Sequence, residues 1–412
     1  MSKFMWIIGI FFIFLGCTSG PNGDDDNEPN LRTLSQEEQS LAVSSNAFVI
    51  NLFNQLEKQE GDKNLFFSPL SVQYALSMTL NGASEETFDS IKETLGFHDL
   101  NEMEINDAYQ SLTEFLLNID KKVLLSIANS IWYEQQLTAE ESFRQAMQVY
   151  YDAEIEGLDF KSEQAVHTIN NWVNTKTSGL IDKLIESIPD EAVMYLINAI
   201  YFKADWKYQF DKSDTKEGPF YQQDGSKLQA MLMHSDDITL NYYQNSTAHV
   251  IDIPYGNGQY SMTVLLPKEG KKIQDIQNVL DENSFNEWNS LTVETKVDLT
   301  MPKFKIEYKA LLNKALCNMG MEIAFTDQAN FSRLFEEPYG LFISRVIHKA
   351  VIEVNEEGTE AAAVTGVEVS LTSLPPEKPV LVLNRPFLFF IKEKYSGTVL
   401  FAGKLVDPSG TQ

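Results

Sequence analysis

The chain reads as one α+β domain, with helices concentrated in its N-terminal half and packed on a large mixed or antiparallel β-sheet. Three observations carry this reading. Amphipathic helical spacing dominates residues 37–177, strand-like runs dominate from residue 193 onward, and no internal linker or repeat divides the 412 residues. An apolar share of 43% with 22% charged residues is ordinary for a globular protein and sufficient for a large core.

The first helix is expected in "LAVSSNAFVINLFNQLEKQ", where Leu41, Ser45, Phe48, Leu52, Phe53 and Leu56 recur at three- and four-residue spacing. A second begins at "SPLSVQYALSMTLNGAS", with Ser68 as its cap and Pro69 at the first helical position. Further helices follow in "SEETFDSIKETLGF", "NDAYQSLTEFLLNI", "ESFRQAMQVYYDA" and "AVHTINNWVNTKT". Strands are expected at 123–134 and 193–206, then in "HVIDIPYG", "YSMTVLLPKEG", "TKVDLTMPKFKIEY", "RVIHKAVIEVNEEG", "VLVLNRPFLFFIKE" and "TVLFAGKLVDP". Several lack clean alternation, so both their faces should be covered. "GNGQYS" at 256–261 reads as a turn between two of them.

The N-terminus has the form of an export signal, with Lys3, the apolar run Phe4 to Gly16, and a small residue before Cys17. That run falls short of the roughly 20 apolar residues a membrane span needs. "LGC" at 15–17 resembles the lipobox of bacterial lipoproteins, which implies cleavage after residue 16 and lipid on Cys17; an ordinary cleaved signal or a short anchor is the alternative. Residues 17–35 contain little to bury and read as a disordered tether. The run Asp24 to Asp26 is either a surface-export signal or a solvated linker. The expected location is therefore the bacterial cell envelope, with attachment to the membrane only through the Cys17 lipid.

Charge and motifs exclude several functions. A net charge of −27 argues against nucleic acid, because phosphate neutralisation needs clustered Lys and Arg. The five histidines, His98, His167, His234, His249 and His348, have no metal-binding spacing, and neither a nucleophile elbow nor a nucleotide fingerprint is present. No metal, no cofactor and no enzymatic activity are expected. With Cys17 lipidated, Cys317 has no disulfide partner and should be a small buried residue.

The segment "IEVNEEGTEAAAVTGVEVSLTSLPPEKPV" at 352–380 fits no single element. Its alanines favour helix, whereas Gly358, Gly366 and the valines and threonines oppose it. As a strand it would place Thr359, Ala361, Ala363, Thr365 and Val367 on one face and Glu360, Ala362, Val364, Gly366 and Glu368 on the other. Both glutamates then share one side, and the opposite side is uncharged and mostly small. This suits a strand that slides into a sheet over a packed core; a permanent strand or a surface loop remains open on pattern alone.

"EVNEEGTEAAAVT" resembles the hinge of the serpins, the serine protease inhibitors. The resemblance runs from about Gln36 to Pro408 and includes "NLFFSPLSVQYALSMTLNGAS", "INNWVNTKTSGLI", "NAIYFKADW", "VIHKAVIEVNEEGTEAAA", "RPFLFFI" and "VLFAGKLVDP". It implies a single serpin domain over 36–408, with a main sheet, smaller sheets and an exposed reactive-centre loop at about 356–379. It further implies an irreversible suicide-substrate inhibitor of serine endopeptidases, with cysteine endopeptidases as a further target class, whose cleaved loop enters the main sheet while the protease is held as a covalent acyl complex. The hinge would comprise Glu356, Gly358, Thr359, Glu360, Ala361, Ala362, Ala363 and Val364, the last departing from the commoner alanine. Counting from Glu356 places the attacked bond at Thr372-Ser373; counting back from Phe387 moves it toward Leu374 or Pro375, so Leu371 and Leu374 are alternates. Trp206, Lys303 and Glu356 match the place where the loop enters the sheet, and Ser68, Ser71 and His348 the polar cluster that lets its strands part.

With no Arg or Lys between Glu368 and Glu377, the expected targets are elastase-like or subtilisin-like. The resemblance implies a monomer, and the acidic stretch "NEMEINDAYQSLTEFLLN" argues against a heparin-like activator. The alternative is a non-inhibitory serpin acting as a binding or chaperone protein; such relatives usually carry bulky, charged or proline residues in the hinge.

Overall fold

A computed structural model describes residues 29–337, 340–359 and 378–410. In the N-terminal half, α1 (Gln36–Glu60) precedes the short β1 (Leu65–Phe67), α2 (Pro69–Leu80), α3 (Glu85–Thr94) and α4 (Glu102–Asn118). Then β2 (Val123–Glu134), α5 (Glu141–Tyr151), β3 (Ala153–Leu158), α6 (Glu163–Lys176) and β4 (Met194–Asp205) alternate. The remainder is mainly sheet: β5 (Lys216–Tyr221), β6 (Lys227–Gln244), β7 (Ala248–Pro254), β8 (Tyr260–Pro267), the small helices α7 (Ile273–Gln277) and α8 (Glu282–Ser290), and β9 (Val293–Pro302). After β10 (Phe304–Leu311) and α9 (Asn313–Leu316) come β11 (Ile347–Val354), β12 (Gly358–Thr359), β13 (Val380–Val382), β14 (Phe387–Glu393) and β15 (Val399–Leu405).

Local chemistry explains the helix starts. Ser35 and Asn101 each accept from the third helical residue, while Glu38 and Glu104 reach back to the cap, forming capping boxes at α1 and α4. Ser68 accepts from Ser71 N at 3.1 Å with Pro69 at the first position, so α2 starts where two orphan groups are already satisfied. Nearly every residue of α2 is buried, which makes it the helix on which the sheets rest.

Two sheets share the core. One has nine strands in the order β1-β15-β14-β8-β7-β6-β9-β13, with β5 paired to β6. Strands β8, β14 and β15 are buried on both faces, which explains their near-continuous apolar sequence. The other sheet has six strands, β10-β11-β12-β4-β2-β3, and joins antiparallel pairs to a parallel β2–β3 edge. A second apolar cluster, including Trp132, Ile169, Trp172 and Ile197, fixes α6 across this sheet.

Four features differ from the expectation. "TKVDLTMPKFKIEY" is two strands in different sheets, β9 and β10, because Pro302 lacks a donor and Lys303 N turns aside to Met231 O at 2.8 Å. Residues 380–393 likewise break into β13 and β14, where the Arg385 guanidinium donates to Pro267 O and Val382 O. Cys317 is half-buried rather than buried, and burial raises its thiol pKa. The β5–β6 hairpin, which contains the 18-residue β6, was not anticipated, although Asp224-Gly225 at its turn is a hairpin signal and Gly225 has φ +86°.

Candidate functional site

The site lies at one end of the six-stranded sheet, where the chain leaves β11 and doubles back. Asn355 makes the reversal: its Oδ1 accepts from Glu357 N (3.0 Å) and Gly358 N (3.2 Å), and its N–H donates to Gly358 O at 3.0 Å. Thr359 thereby pairs with Val354 of β11 on one side and Ala204 of β4 on the other. Gly358 is required by close approach, since a Cβ there would sit 2.1 Å from Ala204 O.

Side chains hold this turn from below and beside. Tyr255 OH and Thr359 Oγ1 are 2.7 Å apart in a buried pair, and Trp206 stacks on Tyr255 at 4.3 Å between centroids. Trp206 Nε1 donates to Asn355 O at 3.0 Å, while Trp206 N and Phe210 N donate to Glu357 O and Glu356 O. Burial raises the Tyr255 pKa, so the hydroxyl stays neutral.

Glu356 is 4% exposed, yet remains charged. Burial alone would raise its carboxyl pKa; Lys303 Nζ at 2.8 Å, the backbone and Thr215 Oγ1 at 2.8 Å hold it below the usual range. Lys212 pairs with Glu357 and has its own pKa raised by that bond. Asp205 is displaced the other way, because burial and then the Glu357 charge disfavour its ionised form.

Beyond Thr359 the sheet opens. Strands β4 and β11 are both antiparallel to β12 and hence parallel to one another, and among the described residues no ladder joins the rest of their lengths. They border a cleft lined by residues 194–200 on one side and 347–351 on the other, with Val72 and Phe401 among the residues at its floor and ends. Under its middle, Ser68 N donates to His348 Nε2 at 3.0 Å, Ser68 Oγ to Leu400 O at 2.7 Å, and Ser71 Oγ to Asn198 O at 3.1 Å. Burial lowers the His348 pKa to about 4, so the ring is neutral at pH 7 and its Nε2 is free to accept.

The geometry thus joins Trp206, Lys303 and Glu356 at the turn, and Ser68, Ser71 and His348 at the cleft, with Gly358 and Thr359 between β4 and β11. Glu360, Ala361, Ala362, Ala363, Val364, Leu371, Thr372, Ser373, Leu374 and Cys17 lie outside the described residues. Thr215, Lys212, Tyr255, Asn355 and Asn198 were missed from sequence. Thr215, Lys212, Tyr255 and Asn198 lie 104 to 145 residues from their partners here, so only folding brings them together, whereas Asn355 acts on Glu357 and Gly358 beside it.

Residues 43–408 match the family described as Serpin (serine protease inhibitor). Iripin-2 of Ixodes ricinus is 35% identical over 377 residues, covering 90% of this chain and 94% of that protein. Human Serpin B11 is 33% identical, covering 90% of this chain and all of its own length. Among solved structures, the thermophilic serpin tengpin in its native state has a TM-score of 0.82 at 33% identity, covering 91% of this chain and 95% of its own. Human thyroxine-binding globulin in complex with its hormone has a TM-score of 0.83 at 31% identity, covering 90% and 99% respectively. The ordered sequence segments, the two-sheet architecture and these similarities make the chain a member of the serpin family of protease inhibitors.

Proposed function

We propose that this serpin is a suicide-substrate inhibitor of elastase-like or subtilisin-like serine proteases, held in a bacterial cell envelope by lipid on Cys17. The observation that carries this reading is the two-residue strand Gly358–Thr359. It is seated between two parallel strands whose remaining lengths border an open cleft. Continuing its register would set residues 360–369 opposite residues 203–194 of β4, with Thr365 opposite Asn198 and His348.

The protease serine attacks the Thr372 carbonyl, forming an ester there and releasing the Ser373 amine as the new N-terminus of the C-terminal fragment. The freed strand then enters the cleft. At roughly 3.3 Å per residue, the 13 residues from Thr359 to Thr372 carry the attached protease about 43 Å, to the opposite end of the sheet. With about 1 kcal/mol of net gain per newly bonded residue, insertion releases on the order of 10 kcal/mol. That is comparable to the stability of the protease itself, whose oxyanion hole must stay intact for deacylation. The uncut chain is therefore kinetically trapped, with Lys303–Glu356 and Tyr255–Thr359 holding the turn.

A second reading, a non-inhibitory binding protein, draws on the similarity to thyroxine-binding globulin. Incubation with elastase, subtilisin and trypsin separates the two. Inhibition gives an SDS-stable complex and a released fragment beginning at residue 373, whereas quantitative cleavage without complex refutes inhibition and leaves the binding reading.

A further inference from the structure

The cleft between β4 and β11 has an inner and an outer face. Ala204 and Val354, the two partners of Thr359, belong to the main core, so residue 359 faces inward. Ile197, Ala199, Ile347 and Val351 pack instead with the apolar cluster of α6 and the chain after it, on the outer face. Side chains alternate along a strand, so a strand continued from Thr359 places its even-numbered residues outward.

On that outer face, the borders opposite residues 360–368 carry four charged side chains, Lys203 from β4 and Arg345, Lys349 and Glu353 from the β11 side. Two already have partners. Lys349, its side chain 7% exposed, lies 2.7 Å from Glu307 Oε1, 3.5 Å from Asp182 Oδ1 and 3.2 Å from Lys183 O, and Glu353 pairs with Lys305 at 3.3 Å. Lys203 and Arg345 make no hydrogen bond or ion pair among the described residues. Arg345 is brought to the border of the cleft by Leu312 N, which donates to Val346 O at 2.8 Å and extends the β10–β11 pairing. It stands near Tyr195 of β4: burial raises the pKa of that hydroxyl, and the Arg345 charge opposes the rise more than the Glu191 charge adds to it.

The ladder at Thr359 fixes which residue meets which. One residue on, Glu360 would stand between Lys203 and Glu353; nine on, Glu368 would stand between Tyr195 and Arg345. Lys349, the cation that already has partners, would meet the uncharged Val364. Acidic residues outnumber basic ones 59 to 32 in this chain, yet both outward glutamates meet a cation unpaired among the described residues.

We propose that Lys203 and Arg345 are the receiving groups for Glu360 and Glu368, a clasp at each end of the inserted segment 360–368. The inference rests on the inhibitory reading above and adds what holds the strand once it has entered. Unlike charges directly opposite one another stabilise a sheet, and like charges destabilise it by similar amounts. Arg345 lies nine residues, roughly 30 Å, along the border from Val354, so it takes no part in the turn at 355–359 and acts on the inserted strand.

The test compares the wild-type chain with Arg345→Glu, Glu368→Arg and the double exchange, each intact and each cut once within residues 371–374, by unfolding in guanidinium chloride. Cutting should stabilise the wild-type chain, as the inhibitory reading requires. Each single exchange sets like charges face to face and should raise the unfolding constant of the cut chain about fivefold relative to its intact form. The double exchange restores opposite charges and should return the constant to within about twofold of wild type. Lys203→Glu and Glu360→Lys should repeat this pattern to a smaller extent, because Leu124, which pairs with Lys203, is 55% exposed and that end is open to water and salt. A wild-type chain that gains no stability on cutting overturns insertion and the clasp with it. A gain in the wild type that the Arg345 and Glu368 single exchanges leave unchanged, or that their double exchange does not restore, overturns the clasp alone; the same result for Lys203 and Glu360 removes its hinge end.

Discussion

Replacing Thr359 by arginine is the substitution whose outcome the geometry determines most closely. Thr359 is 4% exposed and its hydroxyl lies 2.7 Å from Tyr255 OH, over a ring that stacks on Trp206. Glu356 and Glu357, which precede it, are already bonded to Lys303 and Lys212, and Glu360, which follows it, alternates to the opposite face of a strand. In the uncut chain a guanidinium here would leave the sheet for solvent, unseating residue 359, and insertion would then have to bury it without a partner, at an effective cost of about 4 kcal/mol. The first step of insertion would slow by about a thousandfold, since each 1.36 kcal/mol is a factor of ten. Deacylation then wins, and the variant becomes a substrate. The assay is titration of subtilisin with gel detection of the covalent complex: Thr359→Arg should give cleaved chain and active protease, while Thr359→Ser, which keeps the hydroxyl, should inhibit normally. A Thr359→Arg chain that traps protease at unchanged stoichiometry would show that Thr359 does not belong to the face that must be buried.

Other outcomes follow from the same contacts. His348 has a pKa near 4 in the folded chain against 6.5 unfolded, so between these values the unfolded chain holds a proton that the folded chain does not. Stability should therefore fall as pH drops from 6.5 to 4, by up to about 3 kcal/mol from this residue. His348→Gln should flatten that part of the curve in denaturant titrations; His249, also near 4, acts in both proteins and cancels from the comparison. Lys303→Met leaves the buried Glu356 bonded to Thr215 but without a directly paired cation, Lys212 being bonded to Glu357. The uncut chain should lose roughly 1–2 kcal/mol in thermal unfolding, less than a fully buried pair because the Lys303 side chain is 38% exposed, and an unchanged midpoint contradicts this. Tyr255→Phe strands the Thr359 hydroxyl and should cost about 1 kcal/mol, whereas a stabilised variant would mean that the pair does not hold the turn.

Much of the architecture was legible because its determinants are local. The cap at Ser68 and Pro69 and the alternation in 345–358 identify α2 and β11 without knowledge of their neighbours. The break between β9 and β10 was not, since one apolar run continues through Pro302 while the chain changes sheets. At the site, the small and uncharged face beginning at Thr359 could be read from period-two spacing, and the resemblance supplied a reason for it. That Gly358 and Thr359 already pair with β4 and β11 in the uncut chain could not be read. Partial seating depends on Asn355 turning the backbone and on Tyr255, Thr215 and Lys212 reaching it from distant segments. The unpaired Oδ1 of Asn198, buried beside the cleft, was equally invisible, because its significance depends on which strands stand apart.

The central claim, that the cleft is the destination of the reactive loop, is tested most directly by heating the intact chain and a chain cut once within residues 371–374. Insertion worth on the order of 10 kcal/mol should raise the unfolding temperature of the cut chain by more than about 10 °C. A cut chain that unfolds at the same temperature as the intact one, or below it, would contradict insertion.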